Sequence, residues 1–365
     1  MKKNSIKLTR KIQVVVDLPT AEERKEAIGK LYDWQDRSYR TANIMLTHLF
    51  VQDTLKEFFY LSEGINSKLV DEQKDEAGIL QTSRMNTIYQ VTSKRFKGKM
   101  PTNIISCLKA SLYSNFKKNK DAYWRGERSL MNFKKDMPFP FTTEGMSTLV
   151  YDKEKKAFCF RLFKIPLKTY LGRDHSDKWK LLQRVTQGEL KLCTSHLQLK
   201  DGKTFWLAVF ELEKERHALK PGVVAEASLS LEYPLVVKVG TKRFPIGTKE
   251  EFLHRRLAIQ AARKRAQVGV TYAKSGKGRK RKLKALETYY QMERNYISNR
   301  LHLYSRRLID FCIQEQAGTL MLMNQEDKIG IAKKEAFVFR NWSYYELITK
   351  IKYKANKAGI EVLVG

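Results

Sequence analysis

The sequence predicts a multidomain α+β protein: a β-barrel-like domain carrying a helical insertion, followed by a separate α/β domain. Three observations carry this. A strand-like stretch at Ile6–Val16 precedes helical sequence as far as residue 125, so its pairing partners must lie beyond the helices. From Phe133 the texture changes to prolines and short alternating runs. From Pro221 a three-strand meander leads into two long helices, a strand, a helix and a last strand. These shifts divide the chain into residues 1–18 with 130–220, residues 19–129, and residues 221–365. A length of 365 residues suits two or three domains, and 42% hydrophobic residues suffice for real cores.

Taken in order, Ile6–Val16 is β-branched and alternating, which suits a pleated strand. Thr20, with Glu22 and Glu23 behind it, opens a helix by capping its free N–H groups and placing acid at its positive end. Periodicity continues through Leu31, Trp34, Tyr39, Ile44, Leu49 and Phe58, with a break expected on the way. Ser62–Ala77 is polar and acidic and reads as an exposed loop. A helix follows at Thr82–Lys97. Lys97–Pro101 interrupts it, and Thr102 or Asn103 is placed to cap the next helix, whose apolar face is Ile105, Leu108, Leu112 and Phe116. Pro138 and Pro140 then block helix. Strands are expected at Met146–Asp152, Ala157–Phe163, Glu189–Leu199 and Thr204–Glu213. The clearest is the hairpin HLQLK-DG-KTFWLAVFE, where Asp201-Gly202 suits a type I′ turn.

The meander comprises Val223–Leu229, Leu235–Val239 and Arg243–Ile246. Helices are expected at Lys249–Gln267 and from near Lys282 to about Gln316, joined by the basic, Gly-interrupted connector AKSGKGRKRKLK. The second helix carries the stripe Leu283, Leu286, Tyr290, Ile297, Leu301, Tyr304, Leu308 and Phe311. Gly318 is expected to stop it. TLMLM (Thr319–Met323) reads as a buried strand, residues from about Trp342 to Ala358 as a helix ending at Gly359, and IEVLV as the last strand.

Charge narrows the function. Lys plus Arg is 70 and Asp plus Glu is 39, a net +31 with a pI near 9.9. A folded chain tolerates that self-repulsion when a polyanion neutralises it, and nucleic acid is the first candidate. No run approaches the ~20 apolar residues of a spanning helix, and the N-terminus lacks a secretory pattern. The reading is cytoplasmic, nucleoid-associated when bound. Cys107, Cys159, Cys193 and Cys312 are far apart, which argues against a disulfide framework or zinc site. There is no P-loop, GxGxxG or Ser/His/Asp signature.

One acid, Glu226, interrupts the apolar run of the first meander strand. The order β-β-β, helices, β, helix, β is that of the RNase H fold. In nucleases of that fold a carboxylate on a buried first strand anchors the metal ions. The motifs VVAEASL, GKGRKRK, Ser305-Arg306-Arg307-Leu308, TLMLMNQ and Trp342…Tyr353-Lys354-Ala355…Gly359 stand in the order and spacing of TnpB. Over residues 221–365 the chain resembles these transposon-encoded RNA-guided nucleases, which are related to type V CRISPR effectors. The N-terminal regions fit the family's wedge and recognition domains more loosely.

The resemblance implies a wedge β-barrel with a helical recognition insertion, then a RuvC-like domain of RNase H fold lacking the zinc ribbon. It also exposes departures. Glu226 stands where the family has its first catalytic Asp. Met323 and Asn324 stand where a second carboxylate is expected, and the third Asp is absent. A thioether does not bind a hard cation. The family that fits is the TnpB-like nuclease-dead repressor, TldR. It implies guide-RNA binding, recognition of double-stranded DNA beside a short flanking motif, repression by occupancy, and no catalytic metal. Two alternatives are an active endonuclease using Glu226 with Glu326 or Asp327, and a guide-independent RNA- or DNA-binding protein.

Candidate contacts follow from charge and aromatic interleaving. Lys277, Arg279, Lys280, Arg281, Lys282 and Lys284 form the densest basic cluster, with Arg306 and Arg307 at the end of the same helix. Lys117, Lys118, Lys120, Tyr123, Trp124 and Arg125 combine charge with rings suited to base stacking. The resemblance places Arg37, Tyr39, Arg40, Asn43, Thr102 and Asn103 in the region that faces the flanking DNA motif.

Overall fold

The computed structural model describes residues 5–61, 84–172, 177–228, 232–272, 276–323 and 344–364. The chain falls into two compact units, Lys7–Leu212 and Glu213–Gly365, with Met1–Ile6 counted with the second. The architecture is mixed α+β and multidomain. No helix among the described residues is long and apolar enough to cross a membrane.

In the first unit, β1 (Ser5–Val16) joins a sheet whose other strands all come later in the chain. These are β2 (Phe139–Phe141), β3 (Val150–Asp152), β4 (Ala157–Leu162), β5 (Ile165–Tyr170), β6 (Lys191–Leu192), β7 (Ser195–Lys200) and β8 (Lys203–Glu213). Their order is β2-β7-β8-β1-β5-β4-β3, with β6 on β8. The register Val14↔Thr169 closes the chain back on itself across the helical region. Asp201 (φ 52°) and Gly202 (φ 72°) both take the left-handed conformation the type I′ turn needs, at the Lys200↔Lys203 end of the β7–β8 hairpin. This part of the first unit differs from expectation at four places. The stretch read as Glu189–Leu199 is two strands. β2 contains Pro140, tolerated because it lies on a sheet edge. β5 and the short helix α4 (Lys178–Thr186) had no local signal.

α1 (Ala21–Leu61) runs without the expected break. Thr20 and Glu23 form a reciprocal box: Thr20 Oγ1 accepts from the Glu23 N–H (3.2 Å), and the Glu23 carboxylate accepts from the Thr20 N–H (3.3 Å). α2 (Arg84–Phe96) and α3 (Thr102–Trp124) pack on it. Leu31, Met45, Leu46, Ile104 and Ile105 share one core with the sheet residues Phe139, Trp206 and Phe210. Pro101, not Thr102 or Asn103, is the cap residue of α3. Ser62–Ala77, where a loop was expected, lies outside the described residues.

The second unit is a five-stranded sheet in the order β11-β10-β9-β12-β13. β9 (Lys220–Ser228), β10 (Leu235–Val239) and β11 (Lys242–Ile246) form the antiparallel meander. β12 (Ala317–Leu322) and β13 (Glu361–Val364) add in parallel. α5 (Lys249–Thr271) and α6 (Gly276–Gln314) join the meander to β12, and α7 (Tyr344–Ala358) joins β12 to β13. Gln316 (φ 56°), not Gly318, takes the left-handed conformation after α6. Gly318 lies inside β12, at a shift of register with β9, where an added Cβ would come within 2.7 Å of the Lys220 carbonyl oxygen. The strand at 317–322 is buried on one face only: Leu320 and Leu322 join the core, while Met321 is half-buried. The apolar stripe of α6 is likewise buried at Leu301, Tyr304 and Leu308 and half-buried at Phe311, whereas Leu283 and Tyr290 are exposed.

Candidate nucleic-acid interface

The sheet of the second unit separates Glu226 from its core. Ala225 and Ala227 point to the helices and are buried, so Glu226 points the other way and is exposed. The expected buried anchor is therefore an acid on the open face of the sheet. The residues beside it follow from register. Lys238 of β10 is its antiparallel partner and Met321 of β12 its parallel partner. Met323 lies two residues further along the same face; its N–H donates to the Ala227 carbonyl (3.0 Å) and its side chain is 40% exposed. Asn324, Glu326 and Asp327 lie outside the described residues. Among the described residues no cluster of three His, Cys, Asp or Glu side chains could hold a metal ion. Among the described residues, the neighbours of this carboxylate are an ammonium and two thioethers, which are not ligands for hard cations.

From Gly276 onward the basic connector is helix. Helix α6 begins at Gly276, so Lys277, Arg279, Lys280, Arg281, Lys282 and Lys284 occupy its first three turns, all exposed. Cations at the positive end of a helix dipole each weaken it by about 0.3–1 kcal/mol, while phosphate is favoured there. Lys277 and Arg279, in the first turn, are therefore placed against the local preference of their own helix. Lys282 differs from the rest, because its Nζ donates to the Gly269 carbonyl of α5 (2.8 Å). Further along, Glu293 is buried and holds the two helices together. Its carboxylate accepts from Arg256 Nε (3.1 Å), Gln260 Nε2 (2.7 Å) and Arg263 (2.6 Å). Arg263 also lies 4.6 Å from the Tyr290 ring centroid. Sequence reading missed this group, because residues 30 and more apart carry no joint signal. Arg306 pairs with Asp310 (2.8 Å) one helical turn away, and Arg307 is exposed.

The helical region divides its candidates into fold-holding and solvent-facing residues. Tyr123 is buried and stacked on Phe116 at 5.6 Å, so it is a core ring rather than a stacking platform. The reason is helical spacing: both rings fall on the inward face of α3. Trp124 is 45% exposed, but its Nε1–H donates to Asp53 (2.7 Å), which also pairs with Lys120 (3.1 Å). Asp53 is buried at the α1–α3 contact. Lys117 and Lys118 are exposed, and Arg125 pairs with Glu127 (3.3 Å).

Among the flanking-motif candidates, the two asparagines have their amides committed to backbone and neighbours. Asn43 Nδ2 donates to the Phe133 carbonyl (3.0 Å) and its Oδ1 accepts from the Phe133 N–H (2.8 Å). Asn103 makes the same kind of clamp on Thr142. Arg37 donates to the Lys99 carbonyl (2.7 Å) and Asp33 (3.0 Å), and Arg40 pairs with Asp36 (2.9 Å). These two arginines line a cleft of about 300 Å³ with Arg95 and Lys99, which sequence reading had not joined to them. Tyr39 is half-buried and Thr102 exposed.

No protein-family model matches the chain. It is 31% identical to the CRISPR-associated endodeoxyribonuclease Cas12f1 of Syntrophomonas palmitatica over 199 residues, 53% of this chain and 38% of that protein. Sequence similarity of this extent reflects homology to Cas12f1. A second Cas12f1, from Sulfoacidibacillus thermotolerans, is 23% identical over 263 residues, 68% of this chain and 62% of that protein. The aligned parts thus span less than two thirds of either relative. The fold matches a chain of a cryo-EM structure of a Cas12f1–sgRNA–target DNA complex with a TM-score of 0.71, over 99% of this chain and 89% of that one, at 15% identity. The mixed α+β multidomain fold is that of Cas12f1.

Proposed function

We propose that this chain is an RNA-guided DNA-binding protein without nuclease activity, acting as a transcriptional repressor by occupying its target. It is a TldR-like protein in this reading, with guide RNA and double-stranded DNA beside a short flanking motif as its partners. Residues 1–18 and 130–220 serve as the wedge domain, 19–129 as the recognition domain and 221–365 as a RuvC-like domain. Base pairing reads the sequence, and the protein supplies a positive surface and a short motif reader.

The observation that carries the loss of cleavage is the neighbourhood of Glu226. Two-metal hydrolysis holds its cations about 4 Å apart with several carboxylates. Here the parallel neighbour is Met321, Met323 follows on the same face, and Lys238 lies directly across. An ammonium on the strand position paired with Glu226 disfavours a divalent cation there.

A second reading, an active endonuclease using Glu226 with Glu326 or Asp327, is favoured by the relatives, which are named endodeoxyribonucleases. One preparation tests both. RNA co-purifying with the protein is sequenced, and the protein is assayed with Mg²⁺ on DNA matching that RNA. The expected result is a discrete RNA with a variable segment, tight binding to the matched duplex and intact DNA. Robust cutting would establish the second reading, and heterogeneous RNA would remove any guided function.

A further inference from the structure

We infer that the groove between α6 and α7 holds a second phosphate site, built from Lys350, Lys354, His302 and Arg306, that takes nucleic-acid backbone phosphate. The inference rests on the nucleic-acid reading above and adds residues that charge clustering along the sequence did not bring together. Lys350 and Lys354 stand one turn apart on α7 and meet His302 and Arg306, one turn apart on α6. Lys350 Nζ lies 3.0 Å from His302 Nε2, 3.3 Å from Ser298 Oγ and 3.2 Å from the Glu346 carboxylate. Lys354 Nζ donates to the His302 carbonyl and to Ser305 Oγ (2.9 Å).

The carboxylates at this groove are already engaged. Glu346 pairs with Lys350 and Asp310 with Arg306, each within its own helix. Glu215 accepts from Lys357 (2.6 Å), one turn beyond Lys354, and lies 3.3 Å from His217. The hydrogen bonds described for Lys354 end on neutral oxygens. Lys350 and Arg306 each have a carboxylate of their own, whereas the contacts described for half-buried Lys354 supply it none. Its titration reflects this: burial, then Arg306 and Lys350, pull the Lys354 pKa down to about 8, with Asp310 opposing. Burial, Lys350 and Lys354 likewise lower the His302 pKa, which favours the neutral ring that accepts from Lys350.

Holding two helices together needs only a neutral donor at position 354. Placing an ammonium among like charges costs stability unless an anion arrives. A phosphodiester oxygen supplies the missing charge through charge-assisted hydrogen bonds, and a net charge of +31 makes a polyanion the fitting source.

Phosphate binding must then draw a proton onto Lys354. The test uses the full chain with a labelled 30-nucleotide single-stranded RNA and a 30-base-pair DNA duplex. Binding is measured by calorimetry at pH 8 in two buffers of different ionisation enthalpy, and by titration across a salt series. The expected wild-type result is net proton uptake on binding. Lys354→Met should abolish that uptake and reduce the slope of log affinity against log salt by about 1. Lys350→Met should reduce the slope similarly, and Lys354→Arg should keep the slope without proton uptake. A Lys354→Met protein that melts earlier, yet keeps both proton uptake and salt slope, would overturn the site and leave a clamp. Lys280→Ala/Arg281→Ala separates the two readings. If it weakens binding while the groove variants do not, only the groove site falls. If the wild type binds neither probe, the nucleic-acid reading falls and takes the site with it.

Discussion

In the Lys7–Leu212 unit, cations sit beside carboxylates; in the Glu213–Gly365 unit, many sit beside one another. Arg10 makes a bidentate pair with Asp177 (2.7 and 2.6 Å), and Lys155 and Lys168 converge on Asp17 (2.6 and 2.9 Å). Lys120 reaches the buried Asp53. The second unit has such groups too: Arg256 and Arg263 around Glu293, Lys242 on both oxygens of Glu315 (2.9 and 2.7 Å), and Lys357 with His217 on Glu215. Cations also gather there: six in the first three turns of α6, of which Lys277 and Arg279 stand at its positive end, and Lys354 near Lys350 and Arg306. Paired charge holds the fold in both units, and in the second unit cations also accumulate where the local structure does not favour them. The difference teaches where a polyanion is needed. Charge that weakens its own element is explained by a partner that neutralises it.

Asp53→Ala carries the largest expected effect. It leaves Trp124 Nε1–H and Lys120 without this acceptor, and should destabilise the protein by about 2–3 kcal/mol in chemical denaturation. Unchanged stability would break the claim that the first unit spends its charge on the fold.

Lys280→Ala with Arg281→Ala should come next, and in the opposite currency. Nucleic-acid affinity should fall about tenfold or more, with the salt slope reduced by up to about 2, while the melting temperature holds because both side chains are exposed. A fall in stability with unchanged affinity would make this cluster structural as well.

The smallest effect concerns Asp17. Hydrogen bonds from Lys155 and then Lys168 hold its pKa below the ordinary 3.8, against a modest opposing effect of burial. A lowered carboxylate pKa stabilises the fold above the unfolded value, and that stability is lost as pH falls through the folded value. The stability difference between wild type and Asp17→Asn, under about 1 kcal/mol for pairs with lysines open to solvent, should be present at pH 6 and close as pH drops below 3.8. A difference independent of pH would mean that shape, not charge, is at work.

Elements with local chemical signals were legible. Thr20 and Glu23 mark the start of α1, and Asp201-Gly202 marks the β7–β8 turn, because each acts within a few residues. The β4–β5 hairpin was not legible, although it too is tight. Its turn is Phe163-Lys164, at φ 47° and 73°, which carries no glycine or asparagine signal. Distant contacts hold that conformation. The Phe163 ring meets Trp34 edge-on at 5.5 Å, and a Cβ on Gly145 would lie 2.4 Å from the ring. The site shows the same division. Glu226, the exposed tip cations and the position of Met323 could be read in order along the chain. Lys238 beside Glu226 required strand register, and the Glu293 and Lys354 groups required the pairing of helices.

Composition and periodicity thus determined a basic α+β protein, an antiparallel meander feeding two long helices, and an isolated acid on its first strand. Those properties reside in neighbouring residues and in the two spacings, 2 and 3.6, that strands and helices impose. Tertiary structure alone decided which face of β9 Glu226 occupies, which candidate rings are core, and where like charges meet. A sheet face is set by burial against helices far along the chain. A cation's partner is set by whatever side chain packing brings within about 3 Å.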